Sequence, residues 1–164
     1  MNWRGSADIK DRVFASLVYL LPLFYAYPYG QFLLAQFPFL RLIEIPLLPV
    51  FMIYGFLGSI LGRFAGLIIF IILFAAVVRN SRISHFIRFN TMQSILIDIL
   101  LSLIGLVIGF TLNGLPSGLI IETFYNMIFL GTVVASIYGI IQSISGKYAE
   151  IPGISQAAYS QVPW

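Results

Sequence analysis

Residues 64–78 read FAGLIIFIILFAAVV, fifteen consecutive positions with no charge, amide or hydroxyl among them. A helix on a soluble globule must turn one polar face to water, and this run has none to turn. Extended upstream across Arg63 to Phe56, the stretch reaches Val78 and exceeds the roughly 20 residues that cross a hydrocarbon core of about 30 Å. The fold expected is therefore all-α, a polytopic integral membrane protein forming a single membrane domain.

The rest of the chain agrees with that start. Of 164 residues, 60% are hydrophobic and 9% are charged, against roughly a quarter charged in soluble domains. Mean hydropathy is +0.98. Three further stretches approach the span length: Val13–Tyr29, Thr91–Thr111 and Leu119–Ile141. Four transmembrane helices are expected, at about 13–29, 56–78, 91–111 and 119–141.

Gln31–Tyr54 is apolar but carries Pro38, Pro46 and Pro49, with Arg41 and Glu44 in its middle. Ile45–Leu61 is uncharged, yet only Gly62 and Arg63 separate it from the next apolar run, too little for a reversing turn between two full spans. An interfacial or re-entrant segment is expected there. The tail 145–164, with Pro152, Gly153 and Pro163, is expected to be exposed and extended.

The nine basic residues fall unevenly across a four-span chain. Arg4, Lys10, Arg12, Arg79, Arg82, Arg88 and Lys147 lie on the side of the termini; Arg41 and Arg63 lie on the other. Basic excess marks the cytoplasmic face, so both termini are expected in the cytoplasm or, in a plastid, the stroma. Arg4, Lys10 and Arg12 before a short apolar run also permit a secretory-signal reading, against which stand Pro22, the bulky Phe24, Tyr25 and Tyr27, and the lack of an A-x-A site.

Asp98 is the one acidic residue inside the third span. Ser94, Asp98, Ser102, Gly105 and Gly109 recur at helical steps and form one polar or small stripe. Such a stripe should face protein or water rather than lipid. One reading makes Asp98 part of a hydrated path. The other, which is favoured, places it about 10 Å inside the cytoplasmic end, bonded to Ser94 and Ser102 and reached by Arg88 or a neighbouring helix.

Gly58, Gly62 and Gly66 repeat at every fourth position, as do Gly131, Ala135 and Gly139. Small residues so spaced let helix backbones approach, within one chain or between copies. Arg79, Arg82, His85 and Arg88 concentrate in the loop from Arg79 to Asn90. Charges placed so hold a loop inside; the other reading is a docking patch for a soluble partner or a passing polypeptide.

Catalytic sets are missing. The chain has no cysteine and a single histidine, His85, whose neighbour Ser84 is adjacent in sequence rather than arranged as a triad. No zinc ligand set, P-loop or G-x-G-x-x-G pattern occurs. Glu122 and Asn126 share a face near the outer end of the fourth span, where capping and interface solvation account for them. The scattered basic residues do not form a nucleic-acid footprint. The expectation is a protein that is not an enzyme, has no cofactor and no metal, and binds no nucleic acid.

Val78-Arg79-Asn80, Ser84, Phe86, Arg88-Phe89-Asn90, Met92-Gln93 and Asp98-Ile99 resemble the signature of the Tic-twenty family, the multispanning subunit of the chloroplast inner-envelope protein import translocon. Tyr19-Leu20-Leu21-Pro22, Pro28-Tyr29-Gly30, Pro46-Leu47-Leu48-Pro49, Glu122, Phe124, Asn126 and Ile151-Pro152 agree in order. The resemblance implies a non-catalytic, channel-forming or scaffolding subunit of a preprotein translocation complex, with the lipid bilayer, other translocon subunits and a translocating polypeptide as partners. The chain carries no transit extension, so a cyanobacterial or plastid-encoded type is expected, in the cell membrane or the inner envelope. The alternative is a structural subunit or assembly factor of another membrane complex.

Overall fold

The computed structural model describes residues 7–111 and 118–162. Within them every regular element is helical, and four stretches are long and apolar enough to cross a membrane: Ile9–Gln36, Pro38–Val78, His85–Thr111 and Leu119–Ile144. Arg4 and the last two residues of the tail, expected on the inner side, lie outside the described residues.

The first stretch is a stack of short helices: α1 (Ile9–Leu17), α2 (Leu20–Ala26), a 3₁₀ turn over Tyr27–Gly30, and α3 (Gln31–Gln36). It starts earlier than expected because the Asp8 carboxylate accepts from the Ile9 N–H at 2.7 Å and caps α1. Pro22 interrupts little, since it falls in the first turn of α2, where its missing N–H has no helical partner to lose.

The second stretch comprises a 3₁₀ segment at Pro38–Ile43, α4 (Glu44–Leu61), a 3₁₀ turn at Gly62–Phe64, α5 (Ala65–Ile72) and a π-helical end at Leu73–Val78. Its 41 residues would run to about 60 Å if straight, twice a hydrocarbon core. They are not straight. Gly62 adopts φ 58°, ψ −136°, and a Tyr54 ring carbon stands 4.0 Å from the Cβ position of Gly66, although twelve residues of straight helix would separate the two by about 18 Å. The chain therefore bends sharply between α4 and α5, inside the stretch expected as one span at 56–78 and beyond Gln31–Tyr54, for which an interfacial or re-entrant course is expected.

α6 (His85–Thr111) begins six residues before the expected third span. Ser84 provides the cap: its Oγ accepts from the Ile87 N–H at 3.4 Å, and its carbonyl accepts from the Arg88 N–H at 3.1 Å. α7 (Leu119–Ile144) follows, with an apolar outer surface from Leu119 to Ile144. The tail departs from expectation, since Ile154–Gln161 forms helix α8 and packs on α6. Ser155, Ala158 and Val162 are buried there beside Phe89 and Met92; small and apolar residues at helical spacing give the tail a face to bury.

Ala7 and Ala15 from the N-terminal segment, Phe86 of α6 and Tyr148 after α7 gather into one cluster. The N-terminal segment, the loop before α6 and the tail thus share one end of the bundle.

Candidate functional site

Two polar features lie within this apolar bundle. The first is centred on Asn90. Tyr19, at the junction of α1 and α2, donates its hydroxyl to Asn90 Oδ1 at 2.8 Å, Ser143 of α7 donates to the same oxygen at 3.1 Å, and Asn90 Nδ2 donates to the Phe86 carbonyl at 2.8 Å. One turn on, Ser94 Oγ donates to the Val18 carbonyl at 2.7 Å, and Gln93 Nε2 donates to the Ala149 carbonyl at 2.7 Å. Asn90, Thr91, Gln93, Ser94, Ser136 and Ser143 have no measurable exposure. A buried amide is expensive unless bonded, and the bonded groups, Asn90, Gln93, Ser94 and Ser143, tie the first span, α6, α7 and the tail in one arrangement. Thr91 Oγ1, Gln93 Oε1 and Ser136 Oγ are buried without a protein partner.

Asn90 and Gln93 enter the sequence reading only through the family signature, and their bonding roles were not legible there. The signal was a row of uncharged polar residues, 90, 91, 93 and 94, ahead of an apolar run. In sequence such a row resembles an interface border. Only the packed neighbours reveal that it is interior.

The second feature is a cavity of about 510 Å³ between α2, the α4–α5 bend and α6, lined by Tyr25, Tyr54, Arg63, Gly66, Asp98 and Ser102 among apolar side chains. Here the structure corrects the favoured reading of Asp98. Ser102 Oγ bonds the Asp98 backbone carbonyl at 2.8 Å, not its carboxyl group. Ser94 is committed to Val18, and Arg88 Nε donates to the Val78 carbonyl at 2.8 Å. Asp98 Oδ1 is buried with no protein partner. Asp98 is the fourteenth of the 27 residues of α6 and the fourth residue of its apolar run Ile95–Phe110. The stripe itself divides: Ser94 is interior, Gly105 meets the Tyr29 hydroxyl, and Gly109 faces open space.

The basic loop also divides. Arg79 and Arg82 are exposed, whereas Arg88 is a buried helical residue. Its guanidinium closes a carbonyl at the end of the π-helical segment, a group that a helix C-terminus leaves without a partner. His85 Nε2 lies 3.3 Å from the Val162 carbonyl, and Nδ1 lies 3.0 Å from the Tyr148 hydroxyl. A carbonyl only accepts, so Nε2 carries the proton and Nδ1 accepts from Tyr148. His85 thereby joins the start of α6 to the tail.

Of the two glycine rows, only part makes close contacts. A Cβ on Gly66 would stand 2.7 Å from the Tyr25 hydroxyl, and one on Gly139 would strike the Tyr19 ring. Gly58, Gly62 and Gly131 have nothing within 4 Å, and Ala135 is half-buried. The close approaches are therefore made by tyrosines rather than by a facing helix backbone. A pairing that sequence did not single out is Gly30 against the Phe129 ring, which a Cβ on Gly30 would approach to 2.7 Å.

In the first turn of α7, Glu122 borders an open cleft with Gln31 and Gln36. Among the described residues no group of three His, Asp or Glu side chains is placed to hold a metal ion.

Comparison with known proteins gives a match over residues 8–158 to the family described as "Chloroplast import apparatus Tic20-like". A Tic20 family protein of Synechocystis sp. is 52% identical over 99% of this chain and 99% of its own length. Protein TIC 20-II, chloroplastic, of Arabidopsis thaliana is 31% identical over 93% of this chain and 72% of its own. The Tic20 family protein Ycf60 of Gracilaria tenuistipitata var. liui is 36% identical, with coverages of 94% and 76%.

Proposed function

The chain belongs to the Tic20 family, and from that premise we propose that it is a non-catalytic membrane subunit of a polypeptide translocation complex, forming or scaffolding the path. The observation that carries the proposal is the near full-length match to a family described by its place in the chloroplast import apparatus. Relatives occur in a cyanobacterium, in plants and in red algae, so the setting is a cyanobacterial or plastid membrane.

The interior argues for how such a role is filled. Tyr19, Asn90 and Ser143 meet across the bundle and are fully buried, and a small helix bundle fills its own centre with side chains. A path for a polypeptide therefore runs along the outside of this chain, shared with partner subunits or further copies. The α5–α6 cavity is the face that offers polar groups to it.

Both termini are assigned to the cytoplasm or stroma. The shared end of the bundle supports this, since it gathers the N-terminal segment, the loop with Arg79 and Arg82, and the tail with Lys147.

The test is photo-crosslinking in membranes. A photoreactive residue at Ser102 or Leu106, beside a precursor arrested during translocation, is expected to crosslink to it. One at Leu130, on the exposed side of α7, is not. No crosslink from either cavity position, together with no conductance in planar bilayers, would turn the assignment toward an assembly factor.

A further inference from the structure

Asp98 is held where few groups can serve it. Its Oδ1 is buried and meets no protein donor. Of the cavity's other polar groups, Tyr54 donates to Tyr25 at 3.1 Å, Ser102 donates to a backbone carbonyl, and the Arg63 guanidinium rests over the Phe64 ring, 5.4 Å from its centroid. A carboxyl group within a span is costly unless it pairs with a cation or a donor.

Depth decides what can supply that partner. Asp98 lies one turn inside the apolar run Ile95–Phe110 of α6, and lipid tails carry neither charge nor donor there. A helix from another protein, by contrast, presents side chains at every depth, and a long basic side chain lays its methylene stem on apolar surface while its charged end finds a partner.

Size narrows the mode of contact. About 510 Å³ takes one long side chain with its neighbours, not a helix about 10 Å across. A visiting helix would lie over the open mouth, where Leu67 and Leu103 are exposed, and insert a single residue. We propose that this cavity receives a Lys or Arg side chain from a partner subunit's transmembrane helix, with Asp98 as its counter-charge and Phe70, Leu73 and Leu106 packing its stem. The inference rests on the reading that the chain works beside other membrane subunits, and it names the chemistry of one of them.

The probe is a synthetic polyleucine helix of about 20 residues with one central Lys, bound to the full chain in phosphatidylcholine vesicles and read by energy transfer. It is expected to bind roughly tenfold more tightly than an all-leucine helix, the order supplied by one intramembrane polar contact. Asp98→Asn is expected to erase that difference. Ser102→Phe, which fills the cavity but keeps the carboxylate, is expected to erase it too and serves if Asp98→Asn does not fold. Equal binding of the two peptides to the native chain, or full binding to both variants, would overturn the proposal. So would a co-purified lipid that Asp98→Asn releases and the Lys peptide does not displace. Peptide binding needs no translocation, so loss of precursor crosslinking with peptide binding retained counts against the transport reading alone.

Discussion

Asn90 works through what it joins. Its side-chain oxygen takes hydroxyls from two other spans, and its amide nitrogen holds the turn behind it. Asn90→Leu would leave Tyr19 and Ser143 without their acceptor. We expect a loss of about 2 kcal/mol, a buried-partner penalty reduced by the modest worth of hydrogen bonds in membranes, measured by reversible unfolding in micelles. Tyr19→Phe should cost about 1 kcal/mol, and the double variant should fall short of the sum, because both changes break one contact. The glycines yield a contrast at the same scale. Gly139→Leu drives a side chain into the Tyr19 ring and should destabilise by about 1–3 kcal/mol; Gly131→Ala meets open space and should leave unfolding unchanged. In sequence these two glycines belong to one row, and nothing in their spacing separates them. The separation comes from Tyr19, 120 positions before Gly139, whose arrival there is a tertiary fact.

At the scale of elements, the bend between α4 and α5 is set by Gly62. Its positive φ with ψ near −136° is a conformation that side chains rarely accept. Gly62→Ala has all the space it needs, so its penalty isolates backbone strain. We expect about 1–3 kcal/mol, seen as a lower midpoint of thermal unfolding in detergent. An unchanged midpoint would mean that the bend is not held at Gly62. Hydropathy made the second span visible but not its shape, since α4 and α5 are both apolar and the bend rests on one backbone angle. The ends of α1 and α6 were misjudged for a different reason. Asp8 and Ser84 cap these helices at polar positions, where a hydropathy rule stops counting although the backbone is already helical. α8 was missed because a helix of eight residues has little propensity of its own and forms by packing.

For the whole molecule, the orientation is the property most open to test. The chain has no cysteine, so single cysteines report cleanly. A cysteine replacing Ser81 and one replacing Lys147 should both react with an impermeant maleimide from the same side of sealed vesicles, and one replacing Phe39 should react from the other. Labelling of Ser81 and Lys147 from opposite sides would break the four-span arrangement. Apolar composition, the lengths of the apolar runs and the uneven basic residues determined by themselves that the chain is a helical membrane protein with four long apolar stretches, because insertion into hydrocarbon is a sum over residues that needs no knowledge of neighbours. Motif order placed it in its family for a like reason, since residue identities are compared position by position. What only the tertiary structure decided is the inside of that bundle. Asn90 and Asp98 are both polar residues of α6, eight positions apart. One is bonded to two other spans and the other is left with an unbonded oxygen beside a cavity, because hydrogen bonds and burial depend on side chains brought together from distant parts of the chain.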